Sequence, residues 1–212
     1  MDVTLTLAAT AAGYLIGTFP TADLVTRLAT RGKVDIRAVG SGNPGGLNAM
    51  KAVGAKWGVV VIVVDVVKGV AAGLLGWLIG DTAGAYAGAT AGIAGHIFPV
   101  WTRFRGGKGV ATSGGAVLVV FPVYFLIDAG VAAVGALSTH NAERAVWFTA
   151  PVWIGAALAW WLADLPNLWG PHPTMGLPIS AALGSLMILG KFYAARRSEP
   201  PSAALGSRPV AT

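Results

Sequence analysis

Long apolar runs separated by short basic loops dominate this chain and constrain its fold most strongly. The runs at about 57–79 and 83–101 have close to the roughly 20 residues that a helix needs to cross ~30 Å of hydrocarbon. Alternation of apolar and polar residues is absent, so helices are the expected spanning form. Charged residues make up only 11% of the sequence, against about 25% in ordinary soluble domains. The sequence therefore predicts an all-α integral membrane protein.

The apolar runs predict about seven transmembrane helices, because Pro122 is expected to split the region 110–137 in two. With seven helices and the amino terminus outside, every loop and tail lysine or arginine falls on the cytoplasmic side, as the positive-inside rule favours. Six helices would move Arg144 and the basic tail to the other side. Residues 1–193 are predicted to form one domain, and 194–212 a disordered cytoplasmic tail. The predicted runs are 3–28, 57–79, 83–101, 110–121, 122–137, 145–162 and 177–193.

Composition also argues against several kinds of chemistry. The sequence has no cysteine, which removes disulfides, thiolate nucleophiles and cysteine-based zinc sites. His96, His140 and His172 share no metal-ligand spacing, so no metal is predicted. The net charge of +6 lies in short loops between apolar runs, which disfavours a nucleic-acid partner. No basic segment precedes the first run, so we expect a retained membrane helix there and not a cleaved signal.

The first candidate site is the glycine-rich segment 40–46, Gly-Ser-Gly-Asn-Pro-Gly-Gly, in the predicted loop 30–56. It has the spacing of a dinucleotide motif, but no strand precedes it and Pro44 interrupts it. Its glycines still let backbone N–H groups approach an anion closely. Donors and positive charges flank it: Ser41, Asn48, Arg37, Lys51 and Lys56. These features indicate a phosphate site at the membrane surface, with a flexible basic loop as the alternative.

The second candidate site is the segment 106–109, Gly-Gly-Lys-Gly, which precedes a predicted helix. It is not a Walker A loop, because position 102 is threonine and position 109 is glycine. A glycine-flanked lysine at the start of a helix still attracts anions, because free N–H groups and the helix dipole point towards the ligand. A tight basic turn is the alternative.

Asp65 and Asp128 lie well inside predicted membrane helices. Asp65 and Lys68 share a helix face at a spacing of three residues. Because buried charges in a membrane are costly and usually paired, a structural ion pair is the favoured interpretation, and a proton relay or ion path the alternative. Asp128 has no local partner and no explanation. Glycines spaced by four residues, Gly84, Gly88 and Gly92, predict close helix contacts.

Four motifs in order resemble the bacterial acyl-phosphate:glycerol-3-phosphate acyltransferases of the PlsY type. They are Gly-Ser-Gly-Asn-Pro-Gly at 40–45, Asp65-x-x-Lys68-Gly69, Gly-His-x-Phe-Pro at 95–99 and Gly-Gly-Lys-Gly-Val-Ala-Thr at 106–112. The resemblance covers residues 13–115 and implies a seven-helix enzyme of the bacterial inner membrane. Such an enzyme transfers a fatty acyl group from acyl phosphate to the 1-hydroxyl of glycerol 3-phosphate, giving lysophosphatidic acid for phospholipid synthesis.

The resemblance also implies site residues and partners. Ser41 and Lys108 are the expected catalytic residues. Acyl phosphate, glycerol 3-phosphate and membrane lipid are the expected partners of a monomer that needs no cofactor, because acyl phosphate is already activated. The expected substrate-binding residues are Arg37, Gly40, Gly42, Asn43, Gly45, Asn48, Lys51, His96, Gly106, Gly107, Gly109 and Thr112.

The sequence departs from the family pattern in two places. Leu47 and Lys51 replace a threonine and an arginine of the first motif. Phe192 and Ala195 stand where the third motif has histidine and asparagine, and His140 with Asn141 are remote candidates to replace them. A non-catalytic paralogue, or a transporter that binds a phosphorylated metabolite or lipid, is therefore the alternative to an enzyme.

Overall fold

The computed structural model describes residues 2–127, 130 and 142–198, and within these ranges the chain forms helices, turns and loops without a strand. Four segments are long and apolar enough to cross a membrane: Val3–Thr30, Ala55–Thr102, Arg144–Leu162 and Gly176–Arg197. The bounded helices are α1 (Val3–Gly17), α2 (Thr21–Thr30), α3 (Gly46–Val53), α4 (Ala55–Ile97), α5 (Val110–Val120), α6 (Ala142–Leu162) and α7 (Gly176–Ser198). Residues 122–127, between α5 and α6, are also helical. A short 3-10 turn lies at Val100–Thr102. The predicted all-helical membrane fold is confirmed.

The first apolar run, predicted as one membrane helix at about 3–28, forms a candidate membrane span that consists of two consecutive helices. α1 ends at Gly17, and α2 begins at Thr21, directly after Pro20. Proline has no N–H group with which to continue the helical hydrogen bonds. The carbonyl of Phe19, which lies in this break, accepts hydrogen bonds from the Thr21 N–H at 2.9 Å and from Lys68 Nζ at 3.0 Å. α3 is a second difference, because it lies inside the predicted loop 30–56.

α4 is a helical hairpin. Its backbone leaves the helical region at Gly80 (φ −134°, ψ 29°) and Asp81 (φ 49°, ψ −146°). The arms 55–79 and 82–97 run antiparallel, since Gly76 packs against Gly84 and Ala72 packs against Gly88 and Gly92. The two arms correspond to the predicted runs 57–79 and 83–101.

Glycines hold the central helices at backbone contact. A Cβ atom at Gly13 of α1 would collide with the carbonyl group of Gly88, and one at Gly17 with that of Gly92. The first arm of α4 packs equally closely on α5, where a Cβ atom at Gly115 would collide with the carbonyl of Val66. The predicted close contacts at the spaced glycines are confirmed.

The apolar core lies on the side of α5, α6 and α7. Phe121 stacks on Tyr124 with ring centroids 5.6 Å apart, and both rings contact Trp153. Ile188 and Phe192 of α7 belong to the same buried cluster. α7 continues to Ser198, past the predicted domain boundary at residue 193. Asp128, His140, Asn141 and the segment 199–212 lie outside the described residues.

Candidate active site

Both glycine-rich segments lie at the same end of the helical bundle and touch. The first loop, residues 31–45, joins α2 to α3, and the second loop, residues 98–109, joins α4 to α5. The guanidinium Nη1 of Arg37 in the first loop donates to the carbonyl of Arg105 in the second. A Cβ atom at Gly107 would lie 3.0 Å from the carbonyl oxygen of Pro44. The segments that carry Ser41 and Lys108 are therefore neighbours.

Asn48 organises the first loop from the start of α3. The side chain is buried, and its Oδ1 atom accepts a hydrogen bond from the Ser41 N–H at 3.0 Å. Its Nδ2 atom donates to the carbonyls of Ile36 at 3.0 Å and Val39 at 3.1 Å. Gly40 has a left-handed backbone (φ 57°), and a Cβ atom there would collide with the Asn48 amide oxygen. Asn48 thus supports the loop from within, while Ser41 remains exposed above it.

Arg37 is anchored to α2 by a partner that the sequence pattern did not reveal. Its Nε and Nη2 atoms donate to the two carboxylate oxygens of Asp23 at 2.7 and 2.9 Å. This is the two-point geometry that a planar guanidinium forms with a carboxylate. Spacing gave no signal for the pair, because fourteen residues separate the two side chains along the chain. Arg37 therefore ties α2, the first loop and the second loop together.

The second loop is held by its own backbone. The N–H group of Gly106 donates to the carbonyl of Ile97 at 3.0 Å, and that of Gly107 to the carbonyl of His96 at 3.2 Å. Both N–H groups therefore complete the end of α4, contrary to the expectation that they face an anion. A Cβ atom at Gly106 would collide with the His96 carbonyl, so the close approach requires glycine. Gly109 takes a left-handed conformation (φ 84°) directly before α5.

A buried charged cluster lies beneath the second loop. Lys68 Nζ is 2.9 Å from Asp65 Oδ1, which confirms the predicted ion pair. His96 Nδ1 lies 3.6 Å from the same oxygen, and its other ring nitrogen faces Gly107, where a Cβ atom would collide with it. His96 was predicted to bind substrate; the structure places it behind the glycine turn, where it supports the turn.

Lys108 lies next to α7. Its ammonium nitrogen is 4.2 Å from the centroid of the Phe192 ring, which is buried. Lys191, the preceding residue of α7, lies within electrostatic reach of Arg37 and has its ammonium nitrogen 5.9 Å from the Phe98 ring centroid. The last turns of α7 thus bring cationic and aromatic side chains to the same end of the bundle as the two loops.

The remaining predicted site residues differ in their solvent exposure. Lys51 is exposed on α3. The N–H of Asn43 lies 3.5 Å from Ser41 Oγ. Thr112 is fully buried in α5, at the contact with Gly69 of α4. Of these predicted residues, Ser41 and Lys51 are therefore exposed, Lys108 is partly buried, and Thr112 is enclosed by the helix contact.

A model of the glycerol-3-phosphate acyltransferase family matches residues 7–197. The chain belongs to this family. A glycerol-3-phosphate acyltransferase from Maricaulis maris is 43% identical over 169 residues, which cover 78% of this chain and 76% of the relative. One from Geobacillus kaustophilus is 40% identical over 113 residues, or 53% of this chain. That alignment spans about half of the relative's length, 56%.

Crystal structures of PlsY (YgiH), an integral membrane glycerol 3-phosphate acyltransferase, have a similar fold. The glycerol 3-phosphate form has a TM-score of 0.72 and 25% identity, over 95% of this chain and 99% of the other. The lysophosphatidic acid form has a TM-score of 0.73 and 26% identity, over 91% and 90%. The likeness to PlsY thus extends over almost the whole chain, beyond the motifs that carry the sequence resemblance.

Proposed function

We propose that this chain transfers a fatty acyl group from acyl phosphate to the 1-hydroxyl of glycerol 3-phosphate, giving lysophosphatidic acid and inorganic phosphate. One observation carries the proposal: the two glycine-rich basic loops touch, through Arg37 with Arg105 and through Pro44 with Gly107. The reaction needs two phosphate groups side by side, and two neighbouring cationic loops meet that need. Family membership and the PlsY structures support the same activity.

The chemistry requires positioning and charge stabilisation more than a protein base. The hydroxyl oxygen of glycerol 3-phosphate attacks the acyl carbonyl carbon, the bond from that carbon to the phosphate oxygen breaks, and phosphate leaves. The hydroxyl proton passes to a phosphate oxygen of a substrate. Lys108 neutralises the charge that grows on the departing phosphate, and Ser41 with its glycines holds the other phosphate. Held in this geometry, the two substrates react without a cofactor.

A largely apolar cavity that reaches the start of α5 supports an acyl substrate. It lies between α5, α6 and α7 and begins at Val110, the first residue after Gly109. Aliphatic and aromatic side chains form much of its wall: Val117, Val120, Val146, Trp153 and Ile188. An acyl chain in this cavity would have its phosphate at the start of α5, next to Lys108.

The experiment that tests the activity uses the purified protein with palmitoyl phosphate and glycerol 3-phosphate. We expect release of phosphate together with lysophosphatidic acid. Lys108→Ala and Ser41→Ala should each lower kcat/KM at least about tenfold, equivalent to about 1.4 kcal/mol. Lys33→Ala, which removes an exposed lysine from the first loop, is the matched control and should retain native turnover. Native chain that releases no more phosphate than Lys108→Ala would refute the activity.

We also propose that the chain is a monomer of the bacterial inner membrane with seven crossings, its amino terminus outside and both loops cytoplasmic. The basic residues of the two loops and of the end of α7 gather at one end of the bundle, which the positive-inside rule assigns to the cytoplasm. Because the sequence has no cysteine, single cysteines report the orientation cleanly. A membrane-impermeant maleimide added to intact cells should label Asp81→Cys and spare Lys33→Cys. The reverse pattern would contradict the orientation.

One observation favours a second candidate, a non-catalytic protein that binds or moves a phosphorylated metabolite or lipid. Phe192 and Ala195 supply no hydrogen-bonding side chain where the family pattern has histidine and asparagine. Counterflow of labelled glycerol 3-phosphate in liposomes separates the two candidates. Turnover without flux supports the enzyme, and flux without turnover supports the transporter.

A further inference from the structure

The contact between Lys108 and Phe192 has the geometry of a cation–π interaction. The ammonium nitrogen lies 4.2 Å from the ring centroid, inside the ~6 Å range in which the negative face of an aromatic ring attracts a cation. The ring is only 3% exposed. Because such contacts strengthen when water is excluded, this one should orient the lysine more firmly than a surface contact would.

The backbone of the second loop is fixed against the same face of α7. A Cβ atom at Gly109 would lie 2.8 Å from Ile97 Cδ1 and 3.4 Å from Ile188 Cγ1. Ile188 precedes Phe192 by four residues, so the two side chains share one face of the helix. α7 therefore supports both the loop beside Lys108 and the ammonium group at the end of its side chain.

We propose that Phe192 is a positioning residue that holds the Lys108 ammonium in the phosphate site. The inference rests on the proposed acyl transfer for its catalytic consequence. An aromatic face attracts a cation without accepting a proton from it, so the contact can orient the ammonium group towards a bound phosphate. This gives the phenylalanine a role of its own at the position where the family pattern has histidine.

The kinetic test compares variants at position 192. Phe192→Leu removes the aromatic face but keeps an apolar side chain, and should lower kcat/KM about tenfold, equivalent to about 1.4 kcal/mol. Phe192→Tyr and Phe192→Trp keep the face and should remain within about threefold of the native rate. The KM for glycerol 3-phosphate should stay unchanged in Phe192→Leu, because the defect concerns the acyl phosphate. Tyr193→Leu, at the exposed neighbouring position, is the matched control and should behave as native protein.

A second test requires no turnover. Lysines of the native chain are reductively methylated with ¹³C-formaldehyde, and the Lys108 methyl signal is identified by its loss in Lys108→Arg. A signal above a ring face moves upfield, so we expect an upfield signal in native protein and in Phe192→Tyr, and an ordinary position in Phe192→Leu. Titration with inorganic phosphate should shift the native Lys108 signal and so give a phosphate affinity. Phe192→Leu should weaken that affinity about fivefold or more, as expected for the loss of a modest cation–π contact.

The outcomes separate this inference from the proposed activity. An ordinary Lys108 signal in native protein, or equal phosphate affinity in native protein and Phe192→Leu, overturns the inference whether or not the protein turns over. Absence of turnover together with an upfield signal and Phe192-dependent phosphate binding refutes the acyl transfer and retains the positioning role. Native kcat/KM in Phe192→Leu overturns the catalytic consequence of that role.

Discussion

The two glycine-rich loops look alike in sequence but are stabilised in different ways. The first loop is held by side chains, with the Asn48 amide bonding its interior and Asp23 anchoring Arg37. The second loop is held by its backbone, with the Gly106 and Gly107 N–H groups on the last carbonyls of α4 and His96 packed beneath. Position 40 favours glycine because its backbone is left-handed. Position 106 requires glycine because its backbone lies against the His96 carbonyl. Similar glycine content therefore does not imply a similar response to mutation.

The largest expected effect concerns the charged cluster under the second loop. Asp65→Asn leaves the buried Lys68 without its anion, and breaking such a pair typically costs about 3–5 kcal/mol of the free energy of unfolding. Unfolding of the detergent-solubilised protein by added dodecyl sulfate measures this change. Asp81→Asn at the break in α4 makes the same substitution at an exposed site and should be nearly neutral. Equal unfolding free energies for both variants would show that the ion pair does not stabilise the fold.

The contrast between the loops is tested directly by two alanine substitutions. Gly106→Ala places a Cβ atom against the backbone carbonyls of His96 and Ile97. It should lower kcat/KM at least about a hundredfold, equivalent to about 2.7 kcal/mol. Gly45→Ala meets only the far end of the flexible Asn43 side chain and should leave the unfolding temperature of the purified protein nearly unchanged, whereas Gly106→Ala should lower it. If Gly45→Ala proves as damaging as Gly106→Ala, the proposed difference between the loops is wrong.

Replacing Asn48 tests whether side chains organise the first loop. Asn48→Leu has a similar size but leaves the Ser41 N–H and the carbonyls of Ile36 and Val39 without their partner. A buried polar group left unpaired costs about 1–3 kcal/mol, so we expect a lower unfolding temperature and reduced turnover. Leu47→Ala at the exposed neighbouring position is the control. A stable and active Asn48→Leu variant would mean that the loop conformation does not depend on this amide.

The smallest expected effect concerns Arg37. Arg37→Lys keeps the charge but loses the two-point contact with Asp23. Because both side chains are partly exposed, the pair should contribute about 1 kcal/mol or less to folding. Asp23→Asn should have a similar effect, and the double variant should lose little more than either single one. Additive losses in this double-mutant cycle would indicate that the two residues act independently.

The sequence predicts the spanning segments, the glycine contacts and the Asp65–Lys68 pair because each depends on local spacing. The length of an apolar run predicts a membrane crossing. Glycines spaced by four residues lie on one helix face, and so do charged residues spaced by three. Pro20 also favours a break before α2, but the run is apolar on both sides of this proline, so hydropathy alone indicates one continuous segment. α3 escaped prediction because it is only eight residues long and lies among loop residues.

The site partners that sequence analysis missed depend on tertiary packing. Phe192 has the pattern of an ordinary buried helix residue, and only the placement of α7 beside Gly109 brings its ring to Lys108. Asp23 meets Arg37 only because the fold places α2 next to the first loop. No spacing along the chain reports either contact.

The hydrogen bond from Lys68 to the Phe19 carbonyl connects the residues that support the first loop with those that support the second. Lys68 also pairs with Asp65, which contacts His96 beneath the second loop. Phe19 directly precedes α2, and α2 carries Asp23, the anchor of the first loop. A tilt of α2 would therefore strain the support of both loops at once, so the spacing between the two proposed phosphate sites should change only when the whole assembly moves together.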